Sequence, residues 1–122
     1  MSINVKRVYD PPAPEDGYRV LVDRLWPRGL TRAAADVDLW LRDLGPTTEL
    51  RKWFGHAVER WPEFQVRYTA ELKGHAQLLD LVQDVERHHD RVTLLYGARD
   101  RDHNEAQVLA DALRARPAHS HR

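Results

Sequence analysis

The stretch from Tyr18 to Leu30 constrains the fold more than any other part of the chain. It contains a continuous apolar run from Val20 to Val22, and such runs are typical of strands that are buried in a sheet. Charged, aromatic and turn-forming residues follow at once, namely Asp23, Arg24, Trp26, Pro27, Arg28 and Gly29. Because open α/β sheets bind ligands at the carboxyl ends of their strands, this stretch predicts a binding site where the strand ends.

A second buried strand is predicted at Arg91–Tyr96, and it also runs into a charged loop, which carries Arg99, Asp100, His103 and Asn104. If the two strands are parallel neighbours, both loops emerge at the same edge of the sheet. Arginines there can hold an anion through forked contacts, helped by the N-terminus of the helix that follows. The alternative is structural: Asp23 pairs with Arg99, or Arg24 with Asp100, and the pairs join the two loops.

The first half of the chain leaves two points open. A first strand is predicted at Ile3–Tyr9, and the proline-rich loop at 10–17 is too short for a helical crossover. The first two strands are therefore expected to be a hairpin or neighbours in a mixed sheet. Leu30–Ala35 predicts one helical turn with Thr31 as N-cap. Asp36–Leu44 fits either a strand or a helix, and we favour a strand that ends at Asp43.

The second half reads mainly as helices. They are predicted from Thr48 to Phe54, from Trp61 to Leu72 and along the apolar stripe from Leu78 to Val85, which ends at two histidines. Asp102 and Glu105 have the spacing of a capping box and predict the start of the last helix. We expect a single α/β domain over residues 1–115 and a flexible tail over 116–122.

Composition narrows the classes of function. The chain has 19 Lys+Arg and 19 Asp+Glu, so its net charge argues against a protein that holds nucleic acid through a bulk positive field. The absence of cysteine excludes disulfides and cysteine nucleophiles. No run approaches the length of a membrane span and no signal-peptide pattern is present, so we expect a soluble, cytoplasmic protein without membrane partners.

The histidines do not have the spacing of a metal site, because adjacent histidines such as His88 and His89 point to different sides of a helix. No metal site is therefore predicted. Arg51 to His56 combines basic and aromatic residues, which can stack bases and hold phosphates. The alternative is that Trp53 and Phe54 belong to the core and the basic side chains face water.

Four motifs together resemble the bacterial YeaO-like family, a branch of a larger domain group of unknown function. The motifs are KRVYDP at 6–11, DGYRVLVDRLWPRG at 16–29, ELRKWFGH at 49–56 and LLYGARD at 94–100. The resemblance implies a Rossmann-like three-layer domain with a mostly parallel or mixed central sheet flanked by helices. Related branches carry a cysteine about where this chain has Asn104, so thiol chemistry does not transfer. No established reaction comes with the family.

We therefore predict that the chain binds an anionic ligand, a nucleotide or a nucleic-acid phosphate, at the carboxyl ends of its strands. The ligand-binding candidates are Arg24, Trp26, Arg28, Arg51, His56, Arg99 and Asn104. The catalytic candidates are Asp23, Asp100 and His103, since an unperturbed histidine pKa of about 6.5 suits acid–base work. An enzyme with these groups would be a metal- or acid/base-assisted hydrolase. The alternative is a non-catalytic regulatory or protein-interaction module. The sequence identifies no cofactor and no oligomeric state.

Overall fold

A four-stranded, all-parallel sheet forms the centre of the computed structural model, which describes residues 2–117. Its strands lie in the order β1, β4, β2, β3. Their bounds are Ser2–Arg7 for β1, Tyr18–Leu21 for β2, Leu39–Trp40 for β3 and Arg91–Tyr96 for β4. The register places Val5 opposite Leu94 and Val20 opposite both Leu94 and Leu39. The two apolar strands that the sequence identified are thus parallel neighbours at the centre of the sheet.

The expectation for the first two strands is wrong, because β1 and β2 are parallel and β4 lies between them. Val92 to Leu95 are fully buried, so β4 needs a strand on each side. Residues 8–17 therefore have to cross β4, and they do so with only one short 3₁₀ turn, Pro14–Asp16.

A buried ionic network holds this crossover in place. Asp16 is 6% exposed and accepts hydrogen bonds from the guanidinium of Arg19 (2.5 Å) and the ammonium of Lys6 (3.0 Å). The remaining nitrogens of Arg19 donate to the carbonyl oxygens of Ala35 and Asp36. Burial opposes ionisation of Asp16, but the Ala13 amide and the two cations outweigh it, so its pKa is lowered.

Four helices pack on one face of the sheet: α2 (Thr48–Phe54), α3 (Trp61–Leu72), α4 (Ala76–His89) and α5 (Glu105–Ala115). Each buries an apolar stripe against alternate residues of the strands, as helices on a parallel sheet do. Buried members of this core include Val20, Leu94, Phe64 and Leu109. The predicted helices are confirmed within a few residues at their ends.

The opposite face is covered more thinly. The short helix α1 (Arg32–Ala35) has Thr31 as its N-cap, as predicted, and buries Ala35 against Leu21 and Leu95. Trp26 and Trp40 pack beside this cluster and touch each other edge to face at 5.5 Å. The domain is therefore the expected Rossmann-like α/β fold, with helices on both faces but a much lighter layer on one of them.

The strand predicted up to Asp43 is shorter than expected. It ends at Trp40, and a 3₁₀ turn, Arg42–Leu44, follows it. Leu41 and Leu44 are both buried in the same core, and side chains three residues apart reach the same side only if the chain turns. In the predicted tail, Arg116 pairs with Asp80 at 2.6 Å. Residues 118–122 lie outside the described residues.

Candidate functional site

A cavity of about 620 Å³ opens at the carboxyl ends of β2 and β4, where the sequence predicts a binding site. Most of its lining comes from the loop after β2, the end of α2, the loop after β4 and the first residue of α5. A volume of this size lies within the range typical of pockets for small molecules. Two buried phenylalanines, Phe54 and Phe64, stack on each other at 4.5 Å and form part of its wall.

Eight of the ten predicted site residues line this cavity: Asp23, Arg24, Trp26, Arg28, Arg51, His56, His103 and Asn104. Arg99 is exposed and Asp100 is half-buried, and neither is part of the lining. The sequence therefore located the site through two strand ends and the end of α2. It missed two lining residues that bear on the chemistry, Lys52 and Glu105.

The loop after β2 is fixed by backbone contacts rather than by ion pairs to the other loop. Asp23 accepts a hydrogen bond from the amide of Gly97 at 2.8 Å, and a Cβ at Gly97 would lie only 3.0 Å from that carboxylate oxygen. Arg24 donates to the carbonyl of Pro46 at 2.7 Å. Within residues 2–117 neither Asp23–Arg99 nor Arg24–Asp100 forms an ion pair.

Three cationic side chains at the mouth have no partner among the described residues. Arg28, Arg51 and Lys52 are all exposed, and none of these side chains makes a hydrogen bond or an ion pair with a described residue. The turn that presents Arg28 is fixed, since its backbone carbonyl accepts a hydrogen bond from Tyr9 at 2.8 Å. His56 is also exposed and follows the left-handed cap Gly55 at the end of α2.

His103 is held by Asp100 beside the cavity. Its Nδ1 lies 2.9 Å from the Asp100 carboxylate, and its ring meets Trp61 edge-on at 5.2 Å. The amide of Asp102, the amide of His103 and the His103 ring all donate to Asp100 and lower its pKa. A histidine fixed at Nδ1 by a carboxylate has Nε2 left for a ligand or a water molecule.

The start of α5 differs from the prediction. The cap is Asn104, not Asp102, because the Asp100 carboxylate accepts the amides of Asp102 and His103 and holds them in a turn. Asn104 is 2% exposed: its oxygen accepts the amide of Gln107, and its nitrogen donates to two backbone carbonyls. Asn104 lines the cavity, yet its amide is committed to the cap.

The shifted cap places Glu105 in the first turn of α5, where its carboxyl meets that of Asp23. Burial raises the pKa of Glu105 well above its ordinary value, and the nearby Asp23 carboxylate adds to the effect by repulsion and by accepting a hydrogen bond. The Glu105 backbone amide opposes the shift. Asp23 and Glu105 both line the cavity.

Within residues 2–117 no group of three or more histidine and carboxylate side chains is placed to hold a metal ion. His119 and His121 lie outside this range. Among the helices of the described residues, none combines the length and apolarity needed to cross a membrane.

The fold and the cavity define a class, the Rossmann-like α/β domains with a polar cavity at the carboxyl ends of parallel strands. Over residues 2–121 the sequence matches the family described as the inactive DUF488-N3 subclade, and the chain belongs to this family. The resemblance to YeaO-like proteins, which rested on four motifs, is thereby confirmed.

Two relatives show how far the similarity extends. The uncharacterized protein YeaO of Escherichia coli (strain K12) is 45% identical over 115 residues, covering 94% of this chain and 99% of that protein. The uncharacterized protein Rv3073c of Mycobacterium tuberculosis (strain ATCC 25618 / H37Rv) is 40% identical over 114 residues, covering 93% and 95%. No solved structure has a significant match to the chain.

Proposed function

We propose that this protein binds a nucleotide through its phosphate, in the cavity at the carboxyl ends of β2 and β4. The observation that carries the proposal is the set of three exposed cations, Arg28, Arg51 and Lys52, without a partner among residues 2–117. Guanidinium groups suit phosphate because they offer parallel N–H donors in a fork.

Binding without turnover is the form of this function that we favour. The matching family is described as an inactive subclade, and much of the polar machinery around the cavity already serves the fold. Asn104 caps α5, and Arg24 holds the loop at Pro46. A binding protein needs the unpaired cations and the cavity, and it does not need a reacting group.

Isothermal titration with nucleoside monophosphates tests the proposal on the full chain. Arg28→Ala removes a charge-assisted hydrogen bond, and such bonds contribute about 1.5–3 kcal/mol, so affinity should fall about tenfold or more. Arg99→Ala is the matched control, because Arg99 is exposed at the same edge but lies outside the cavity. Equal losses in both variants, or no binding to the wild-type chain, would remove the proposal.

Hydrolysis is the second candidate, favoured by the acid–base groups beside the cavity. His103 is oriented by Asp100, and Glu105 carries a raised pKa, so the two offer a general base and a general acid. Chromatography of nucleotide incubations with wild-type protein and His103→Ala would decide. Product that forms with wild type and fails to form with the variant would establish a hydrolase. Intact nucleotide in the presence of binding leaves the non-catalytic function.

A further inference from the structure

We propose that Tyr9 is a positioning residue of the phosphate site, whose hydroxyl holds the turn that presents Arg28 and thereby raises the affinity for the nucleotide. This inference rests on the proposed function and adds a residue from a third loop, the one that follows β1. Tyr9 lines the cavity, although it is not among the site residues that the sequence predicts.

Tyr9 reaches the Arg28 turn from the far side of β4. Because the strands are parallel and lie in the order β1, β4, β2, the loops that follow them emerge at one edge of the sheet, with the end of β4 in the middle. The Tyr9 ring passes this end, since a Cβ on Gly97 would lie 3.8 Å from its Cε2 atom. Its hydroxyl then donates to the backbone carbonyl of Arg28 at 2.8 Å.

The Tyr9 ring is itself held by its neighbours in the chain. The guanidinium carbon of Arg7 lies 4.6 Å from the ring centre, and Arg7 Nε donates to the carbonyl of Ala98 at 2.9 Å. Asp10 accepts forked hydrogen bonds of 2.7 and 3.0 Å from the guanidinium of Arg101. The loops after β1 and β4 are thus joined on either side of Tyr9. A hydroxyl on a ring held in this way loses little freedom when it forms its own hydrogen bond.

The turn at residues 27–29 depends on this contact. Its closing hydrogen bond, from the Leu30 amide to the Pro27 carbonyl, is long at 3.4 Å. Within the described part of the chain, the bond from Tyr9 is the one hydrogen bond that joins residues 27–29 to residues outside the turn. Loss of the Tyr9 hydroxyl therefore frees the backbone that carries the Arg28 side chain, and ordering that backbone again on binding costs affinity.

Isothermal titration of AMP, GMP, CMP and UMP into wild-type protein and Tyr9→Phe tests the inference. The variant keeps the ring and removes the hydroxyl. Affinity should fall about threefold to tenfold, as expected for one neutral hydrogen bond, and by the same factor for every base. Tyr18→Phe is the matched control, because Tyr18 is half-buried at the start of β2, stacks on His89 and does not line the cavity. Unchanged affinity in Tyr9→Phe, or an equal loss in the control, would overturn the inference.

The Arg28→Ala background separates positioning from other effects of Tyr9. If Tyr9 acts through Arg28, Tyr9→Phe should cause no further loss of affinity once the Arg28 side chain is absent. The same loss in both backgrounds would show that Tyr9 acts independently of Arg28, and would overturn the positioning role. If Arg28→Ala weakens binding and Tyr9→Phe does not, the proposed function stands and this inference fails. If none of the four nucleotides binds to wild-type protein, both fail.

Discussion

Folding changes the acid–base chemistry of Glu105, whose carboxyl lies near that of Asp23. In the unfolded chain each carboxyl is hydrated and titrates independently. In the folded protein burial and the Asp23 carboxylate raise the pKa of Glu105. The folded state therefore keeps a proton that the unfolded chain has released once the pH exceeds the ordinary pKa of 4.5.

The raised pKa of Glu105 predicts how the stability of the Glu105→Gln variant depends on pH. The stability contributed by the protonated carboxyl is full below the ordinary pKa and is lost as pH rises through the raised value. The glutamine variant has no proton to lose, so its free energy of unfolding should rise relative to wild type as the pH increases. Urea denaturation at pH 5, 6, 7 and 8 measures the difference.

A matched control for this series is Glu49→Gln, an exposed glutamate in the first turn of α2. Its difference from wild type should stay nearly constant over the same pH range. A constant difference for Glu105→Gln as well would contradict the raised pKa of Glu105.

The fate of individual residues shows where sequence reasoning succeeds and where it stops. Asp23 and Arg28 could be placed because a buried strand run fixes where its polar exit must lie. Glu105 could not, because Asp102 and Glu105 also have capping-box spacing and the pattern assigns both to the cap. Only the turn closed by Asp100 shows that the helix starts later, and that turn depends on the folded loop.

Among the secondary-structure elements and their connections, the crossover from β1 to β2 places the strictest requirement on backbone conformation, and it does so at Gly17. Gly17 joins the 3₁₀ turn to β2 with φ of 66° and ψ of −136°, and a Cβ there would lie 2.5 Å from the backbone oxygen of Arg91. Such backbone angles are accessible to glycine and strained for other residues. Two hydrogen bonds from β4 hold the crossover this close: the Thr93 hydroxyl donates to the carbonyl of Asp16 and the Arg91 guanidinium to the carbonyl of Glu15, both at 2.6 Å.

Gly17→Ala should therefore destabilise the protein by more than backbone strain alone, which is about 1–3 kcal/mol. Gly29→Ala is the matched control, because Gly29 also has a positive φ of 82° but has nothing within 4 Å of its Cβ position. Thermal or urea unfolding of the two variants measures the difference. Equal losses would show that the close approach to Arg91 does not matter.

The ends of a strand, like single site residues, could be predicted where the local sequence decides them and not where a tertiary contact does. β4 was correctly bounded because its apolar run is buried on both faces. β3 was overextended because Val37, Leu39 and Leu41 alternate as in a strand. Leu41 and Leu44 share one core, which requires the chain to turn after Trp40. The order of β1 and β2 was missed because a short loop excludes a helix but does not reveal that a third strand lies between them.

The whole molecule carries no net charge, and this limits how it can hold nucleic acid. Its aromatic surface is also limited: Trp53 is half-buried beneath the guanidinium groups of Arg60 and Arg67, whose carbons lie 5.4 and 4.4 Å from the ring centre. Three cations without a partner among residues 2–117, Arg28, Arg51 and Lys52, lie together at the mouth of one cavity. This arrangement suits one small anion better than a long polyanion.

We therefore expect weak dependence of binding on salt and on the length of the nucleic acid. A slope of about −0.9 in log affinity against log salt arises for each phosphate neutralised on duplex DNA, and this cavity should neutralise only one or two. An oligonucleotide should thus bind little more tightly than a mononucleotide near about 0.15 M salt. Titrations at several salt concentrations measure both quantities. A slope typical of extended DNA-binding surfaces would contradict a single-nucleotide site.

The central position of β4 has a consequence for how the chain is made. Among the described strands, β1 pairs with β4 alone, and β2 pairs with β4 and the two-residue β3. Until a ribosome has released residues 91–96, the backbone of β1 therefore has no strand to pair with and β2 has almost none. Late pairing over such long sequence separation slows folding and prolongs the exposure of unpaired strand edges. The apolar strand that ends at the cavity must wait for nearly the whole chain before it can be covered.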